Sequence, residues 1–146
     1  MNAYAEMIER QQKRINALPL KFAFSQKQFR EMMESWGLNE DDTDKIYKLG
    51  GTGGFYLRTD SKLIFTTFEE NEIELQAAIR NDIDGSGFIK DMFCYELANH
   101  EYCITYDLEP TLDALGLSMD DVNASPALLN GLKLARKEYR AYSSLY

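Results

Sequence analysis

Residues 79–107, IRNDIDGSGFIKDMFCYELANHEYCITYD, are the stretch around which the rest of the chain is arranged. They hold the only histidine, both cysteines and a segment that resembles an ion-binding loop. They also separate two segments that look like copies of one helical device. The stretch contains no diagnostic catalytic or cofactor motif, so each candidate group in it has a structural alternative.

The segment DIDGSGFI, residues 82–89, fits the first eight positions of an EF-hand calcium loop. Oxygen ligands stand at positions 1, 3 and 5, namely Asp82, Asp84 and Ser86, and a glycine stands at position 6. Position 12, where calcium needs a bidentate glutamate, is Phe93, and position 9 is Lys90. Because two coordinating oxygens are lost and a cation is added, the sequence favours a tight Asp/Gly turn between two helices.

Cys94, His100 and Cys103 could supply three ligands to zinc, with Glu96 or Glu101 as the fourth. However, C-x-x-C and H-E-x-x-H are both absent, and no third group can be named that would orient a Cys–His hydrolytic pair. The alternative is a buried thiol and a hydrogen-bonded histidine. The sequence therefore predicts a structural role for these residues, with no cofactor and no enzymatic activity.

Hydrophobic spacing and capping signals predict a mainly α (α+β) fold, a compact bundle of about five to seven helices. The predicted helices include residues 3–17, 25–36, 39–49, 62–80, 91–99 and 107–115, with a last helix from Pro126. A two- or three-stranded β element is expected around residues 55–57 and 102–106. The glycine run at residues 50–54 has no phosphate-loop lysine after it, so it predicts a hinge with positive φ.

One helical device occurs twice in the sequence. Gly37-Leu38-Asn39 and Gly116-Leu117-Ser118 each follow a predicted helix, and each is followed by acidic residues. A glycine C′ residue with a leucine contact ends a helix, and Asn or Ser starts the next one. The two matches are short, so they indicate a recurring helix–turn–helix device.

At 146 residues, with 45% apolar residues, the chain is long enough for one globular domain with a real core. The predicted domain is residues 1–146, and the N-terminal helix 3–17 can lie at its periphery. No apolar run approaches the length of a membrane span, and the beginning MNAYAEMIERQQKR is too polar for a secretory signal. We therefore expect a cytoplasmic protein with reduced cysteines and no membrane contact.

Charge is distributed unevenly along the chain. Residues 31–121 hold 21 acidic and 6 basic side chains, whereas residues 1–30 and 122–146 are net basic and the whole chain carries −8. An acidic centre repels nucleic acid and attracts basic protein surfaces. The alternative is a solubilising surface that the two basic ends neutralise.

The strings GGFYLRTDS, GFIKDMFCYELANHEYCITYD and LDALGLSMDD resemble a group of small acidic proteins without an established activity. These are encoded on phages and integrative elements of Gram-positive, often gut-dwelling, bacteria. The resemblance covers roughly residues 20–138. It implies a helper or counter-defence role, and it transfers no functional residue.

These observations favour a non-catalytic protein-binding module of a phage or mobile element, which binds a basic host protein and in its sharper form mimics the phosphates of DNA. The carboxylates predicted to contact the partner are Glu40, Asp41, Asp42, Asp44, Glu69, Glu70, Glu72, Glu74, Asp113, Asp120 and Asp121. The alternatives are a small calcium or zinc module and a structural protein that self-associates through its tyrosine-rich C-terminal helix.

Overall fold

The computed structural model describes the backbone of residues 1–143 and the side chains through residue 139. Its helices are α1 (Ala3–Asn16), α2 (Gln26–Ser35), α3 (Ser61–Asn81), α4 (Phe88–Asn99), α5 (Tyr102–Thr105), α6 (Glu109–Leu115), α7 (Met119–Ala124) and α8 (Pro126–Ser143). Its strands are β1 (Lys21–Phe22), β2 (Ile46–Leu49) and β3 (Gly54–Leu57). The prediction of a mainly helical fold with a small β element is confirmed.

The chain divides into two compact units. Unit 1 comprises Met1–Arg10 and Ile73–Tyr146, and unit 2 comprises Gln11–Glu72. The prediction of one domain over residues 1–146 stays a prediction. The self-association predicted for the C-terminal tail rests partly on Tyr142 and Tyr146, whose side chains lie outside the described residues.

Unit 1 is organised around α4. Its buried residues recur at three- and four-residue spacing, which gives the helix one continuous apolar stripe. This stripe packs most extensively against α8, and α5 and α6 also contact α4. The core contains Ile89, Met92, Phe93, Leu97, Tyr102, Leu112, Val122, Leu128, Leu132 and Ala135. The stretch chosen from the sequence therefore supplies the central helix of this unit.

The first turns of α1 belong to the core of unit 1. Tyr4 is only 4% exposed and packs edge-on against the rings of Phe88 and Tyr95. Met7 is also buried. The first turns of α1 therefore contribute an aromatic side chain to the core beside α4, and the peripheral position considered for the whole helix 3–17 stays a prediction.

Unit 2 is built on the three-stranded antiparallel sheet, in the order β1-β3-β2. Phe55 and Leu57 pack with Met33 of α2, whereas Tyr56 and Leu49 pack with Ile64 of α3. Because neighbouring residues of a strand point to opposite faces, β3 supplies both apolar clusters. The sheet is covered by one helix on each face.

Two predicted elements differ from the structure. Residues 102–106 are expected as a strand, but residues 102–105 form α5, which the left-handed residues Glu101 (φ 56°) and Tyr106 (φ 57°) bound on both sides. Residues 39–49, expected as a helix, contain one 3-10 turn at Thr43–Lys45 and then β2. Ile46 and Tyr47 suit a strand, and they pair with β3 across a glycine turn.

Candidate functional site

In the segment of residues 82–89, residues 82–87 connect α3 to α4, and residues 88 and 89 begin α4. One carboxylate oxygen of Asp82 accepts hydrogen bonds from the amides of Gly87 (3.1 Å) and Ile89 (2.8 Å), so it caps the start of α4. Asp84 accepts from the amide (2.9 Å) and the hydroxyl (2.7 Å) of Ser86. The hydroxyl of Ser86, followed by its amide, lowers the pKa of Asp84. These three predicted ligands thus hold the turn through local hydrogen bonds.

The same loop contacts α8 at very short range. A Cβ atom on Gly85 would lie 1.9 Å from the carbonyl oxygen of Ala127, and the φ of Gly85 is +79°. Asn130 of α8 donates to the carbonyl oxygen of Asp84 at 2.7 Å. At the twelfth loop position, Phe93 is fully buried in the core. These contacts give the loop a packing role, in agreement with the predicted tight turn.

The three residues considered as zinc ligands fall into two places. Cys94 and Cys103 line one cavity of about 430 Å³, together with Ala98, Glu138 and Tyr139. His100 ends α4, and its Nε2 lies 3.2 Å from Oε2 of Glu96. Within the described part of the chain, no three His, Cys, Asp or Glu side chains lie close enough together to hold a metal ion.

The thiol of Cys94 is held in its protonated form. Burial, and then the carboxylate of Glu138 that accepts the hydrogen bond of the thiol at 3.3 Å, raise the pKa of Cys94 to about 12. The other oxygen of Glu138 pairs with Lys90, which lowers the pKa of Glu138. Because a thiolate is the reactive form of cysteine, this arrangement disfavours Cys94 as a nucleophile.

A buried carboxylate network in unit 1 was not predicted from the sequence. Glu96 is 7% exposed; its Oε1 accepts a hydrogen bond from the Tyr4 hydroxyl at 2.8 Å, and its Oε2 faces His100. Thr111 donates to the backbone oxygen of Glu96 at 3.3 Å. Burial, and then the hydrogen bond to the Glu96 carboxylate, raise the pKa of Tyr4. A glutamate on the apolar stripe of α4 was the available signal, but its partner Tyr4 is 92 residues away.

The carboxylates predicted to contact a partner are divided between the two units. Those at residues 40–72 belong to unit 2, and Glu74, Asp113, Asp120 and Asp121 belong to unit 1. In unit 2, Glu40 lies 3.6 Å from Arg30, and Asp42 lies 3.9 Å from Lys45. Glu69, Glu70 and Glu72 are exposed on α3, as are Asp41 and Asp44 before β2.

In unit 1, three of the predicted contact residues have local partners or lie at a cap. Glu74 lies 3.7 Å from Arg10. Asp121 accepts from the amide of Ser118 at 2.9 Å, and Ser118 accepts from the amide of Asp121 at 3.1 Å, which completes a capping box at the start of α7. The backbone hydrogen bond from Ser118 lowers the pKa of Asp121. Asp120 stands exposed in the same first turn.

Unit 1 also contains a run of carboxylates without lysine or arginine, which we call the acidic segment, residues 101–121. Its six acidic side chains are all exposed: Glu101, Asp107, Glu109, Asp113, Asp120 and Asp121. The segment comprises α5, α6 and the start of α7. Of these six, only Asp113, Asp120 and Asp121 are among the carboxylates predicted from the sequence to contact a partner.

A groove of about 320 Å³ lies within the acidic segment, and we call it the α6–α7 groove. Its lining residues are Asp107, Leu108, Glu109, Leu112, Asp113, Leu117, Ser118 and Met119. Four of them are apolar and three are carboxylates, so the groove combines an apolar lining with negative charge.

The comparisons with known proteins identify a family but no function. None of the described helices is both long enough and apolar enough to span a bilayer. No curated protein matches the chain, and no solved structure matches it. A family model, described as a family of unknown function (DUF7659), matches residues 3–138. Since this match covers nearly the whole sequence, the chain belongs to the family of unknown function DUF7659.

Proposed function

We propose that this chain is a non-catalytic protein-binding module that holds a basic surface of another protein with the acidic segment of unit 1. The single observation that carries the proposal is that all six carboxylates of residues 101–121 are exposed and that no lysine or arginine occurs among them. Uncompensated carboxylates create a negative potential that speeds association with cationic surfaces and repels nucleic acid.

The charge division between the units supports the choice of surface. Unit 1 carries 14 acidic and 7 basic side chains, whereas unit 2 carries 10 and 9. Unit 2 is therefore close to neutral. At physiological ionic strength the Debye length is about 8 Å, so only carboxylates that lie near one another act together on a partner. A short segment with six of them meets this requirement better than carboxylates spread over the whole chain.

The biological setting of the proposal comes from the sequence resemblance. In this proposal the chain is a protein of a phage or integrative element, and its basic partner is a protein of the bacterial host. In the sharper form, the carboxylates occupy the positions that DNA phosphates take on a host nucleic-acid-binding or defence protein. Both forms require binding that weakens steeply as salt increases.

The test compares two triple variants with the same change in net charge. Asp107→Asn, Glu109→Gln and Asp113→Asn neutralise the acidic segment, and Glu34→Gln, Asp41→Asn and Asp44→Asn neutralise exposed carboxylates of unit 2. The immobilised protein captures partners from host lysate at low salt. Each captured protein is identified, purified and titrated against the wild type and both variants.

We expect a basic partner whose affinity falls roughly tenfold or more in the first variant and much less in the second. Circular dichroism confirms that both variants are folded. The proposal is wrong if no basic protein binds at low salt. It is equally wrong if both variants weaken binding to the same extent, because net charge alone would then explain the association.

A further inference from the structure

The α6–α7 groove has an apolar lining that the unit leaves open to solvent. Leu112 belongs to the core of unit 1, and Leu108 and Leu117 pack against that core while remaining partly exposed. Met119 is 41% exposed. A methionine side chain is flexible and polarizable, and it adapts to apolar groups of different shapes. The groove therefore offers an adaptable apolar surface beside a fixed one.

The carboxylates around this surface have no cationic partners. Asp107, Glu109 and Asp113 are exposed, and none of them pairs with a lysine or arginine in the described part of the chain. An Asp107 carboxylate oxygen accepts a hydrogen bond from the amide of Glu109 at 3.0 Å. Exposed carboxylates beside an apolar lining are complementary to an apolar group flanked by cations.

We propose that the α6–α7 groove binds one apolar side chain of a partner segment in which lysine or arginine residues flank that side chain. This inference rests on the proposed function and specifies the chemistry of the partner. The apolar side chain enters between Leu117 and Met119, and the flanking cations meet the carboxylates. A volume of about 320 Å³ is at the lower end for ligand pockets, which suits a single anchoring side chain.

The chain just before the groove provides further contact surface. α5 is bracketed by the left-handed residues Glu101 and Tyr106. Ile104 within α5 is 73% exposed, and Tyr106 directly after it is 65% exposed. Large apolar side chains held at the surface are a common feature of protein-binding sites. Ile104 and Tyr106 extend the apolar area for a partner segment that runs from the groove past Asp107 toward α5.

The test uses two synthetic heptapeptides with equal charge, Lys-Arg-Lys-Leu-Lys-Arg-Lys and the same peptide with Ser in place of Leu. Fluorescence anisotropy measures the affinity of each labelled peptide for the full chain at low salt. We expect the Leu peptide to bind about tenfold more tightly than the Ser peptide, because burial of one leucine side chain supplies that difference.

A matched pair of uncharged variants locates the binding. Met119→Gln removes an apolar lining residue, and Ile83→Gln changes an apolar residue of unit 1 that is 89% exposed outside the groove. Met119→Gln should lower the affinity for the Leu peptide about fivefold and leave the Ser peptide unchanged. Ile83→Gln should change neither. Methyl NMR signals of Leu112 and Leu117 should shift on addition of the Leu peptide.

The outcomes separate this inference from the proposed function. If both peptides bind equally and Met119→Gln has no effect, the groove inference is wrong, while a salt-dependent loss of binding in the Asp107, Glu109 and Asp113 variant still supports an acidic protein-binding surface. If neither peptide binds and the triple variant leaves partner binding unchanged, both proposals are wrong. Equal loss in Met119→Gln and Ile83→Gln would also contradict the groove inference.

Discussion

Unit 1 and unit 2 each place a glycine at φ +79° against a neighbouring group, but the neighbours differ in kind. In unit 1, a Cβ on Gly85 would meet the backbone of α8, 1.9 Å from the carbonyl oxygen of Ala127. In unit 2, a Cβ on Gly53 would meet the ring of Phe24 at 2.3 Å, and that ring is 74% exposed. The first neighbour is fixed and the second can rotate into solvent. In unit 1, Gly85 therefore allows two backbone segments to approach each other, and in unit 2, Gly53 allows an exposed ring to pack on the backbone.

The units also differ in how they treat buried polar groups. In unit 1, both carboxylate oxygens of Glu96 have partners, Tyr4 and His100. In unit 2, the oxygen of the buried Asn71 side chain accepts from Arg14 at 3.0 Å, whereas its Nδ2 has no hydrogen-bond partner among the described residues. An unsatisfied buried group weakens a fold, whereas a satisfied network fixes it. We therefore expect substitutions at the buried polar residues of unit 1 to be less tolerated than those at Asn71 of unit 2.

The glycine comparison predicts the largest effect on stability. Gly85→Ala should lower the free energy of unfolding by about 2–5 kcal/mol, since it combines left-handed strain with overpacking against backbone. Gly53→Ala should cost about 1–2 kcal/mol, because the ring can move away and mainly the strain remains. Urea denaturation followed by circular dichroism measures both.

Gly116→Ala provides the control for strain alone. Its φ is +66°, and apart from its chain neighbours no atom of the described residues lies within 4 Å of the added Cβ. We expect a cost of about 1–2 kcal/mol. If Gly85→Ala costs no more than Gly116→Ala, the close approach of the loop to α8 does not constrain unit 1.

Much of the helical architecture could be predicted from the sequence, because it depends on local signals. The helix predicted from residue 25 has Ser25 as its N-cap, and the cap at Ser118 and the glycine ends at Gly37 and Gly116 are also present in the structure. In the second device, the amide of Leu117 donates to the carbonyl of Leu112 at 2.9 Å, which is the contact expected after a glycine end. Such contacts involve residues close in sequence, so periodicity and residue type are sufficient to predict them.

Features that depend on distant residues could not be predicted in this way. The aspartates before β2 give a local helix signal, so the sequence predicts a helix there, whereas the pairing with β3 that makes it a strand depends on residues elsewhere in the chain. The two-residue strand β1, which pairs with Phe55 and Gly54, gives no periodic pattern at all. The groove could not be predicted because the sequence predicts a strand where α5 lies. The turn at Tyr106, which follows α5 and precedes α6, is therefore not expected.

The buried network predicts a smaller effect than the glycine contact. Tyr4→Phe removes the hydroxyl that donates to Glu96 and leaves a buried carboxylate oxygen without that partner, so it should cost about 1–3 kcal/mol. Tyr47→Phe, on the exposed side of β2, should change stability by less than about 0.5 kcal/mol. Urea denaturation at neutral pH compares the two.

The pH dependence of the same pair has a definite sign. The pKa of Tyr4 is raised in the folded protein, so the folded state keeps a proton that the unfolded state loses above about pH 10. The stability difference between wild type and Tyr4→Phe is therefore fully present below pH 10 and declines as pH rises further. A difference that grows above pH 10 would contradict the raised pKa and the hydrogen bond to Glu96.

The smallest effect on stability is expected at the two helix N-caps, at Ser118 and Ser25. Only the first of them includes a carboxylate that can be protonated in acid. In unit 1, Asp121 and Ser118 exchange hydrogen bonds. In unit 2, Ser25 accepts from the backbone amide of Gln28, and the Gln28 side-chain oxygen accepts from the backbone amide of Phe24. The lowered pKa of Asp121 means that its carboxylate stabilises the fold above about pH 4 and loses that effect as pH falls through the lowered value. The amide of Gln28 has no such transition.

Exchanging the chemistry of the two caps therefore sharpens the comparison between the units. Asp121→Asn should lower stability slightly at pH 6 and have no effect at a pH below the lowered pKa, because the wild-type carboxylate is then protonated. Gln28→Glu should do the reverse in unit 2, adding about 0.3–1 kcal/mol at pH 6 that disappears in acid, since a negative charge favours a helix N-terminus. Thermal denaturation across this pH range measures both. If Asp121→Asn costs the same at every pH, the capping carboxylate is not the titrating group and unit 1 gains nothing from its charge at this position.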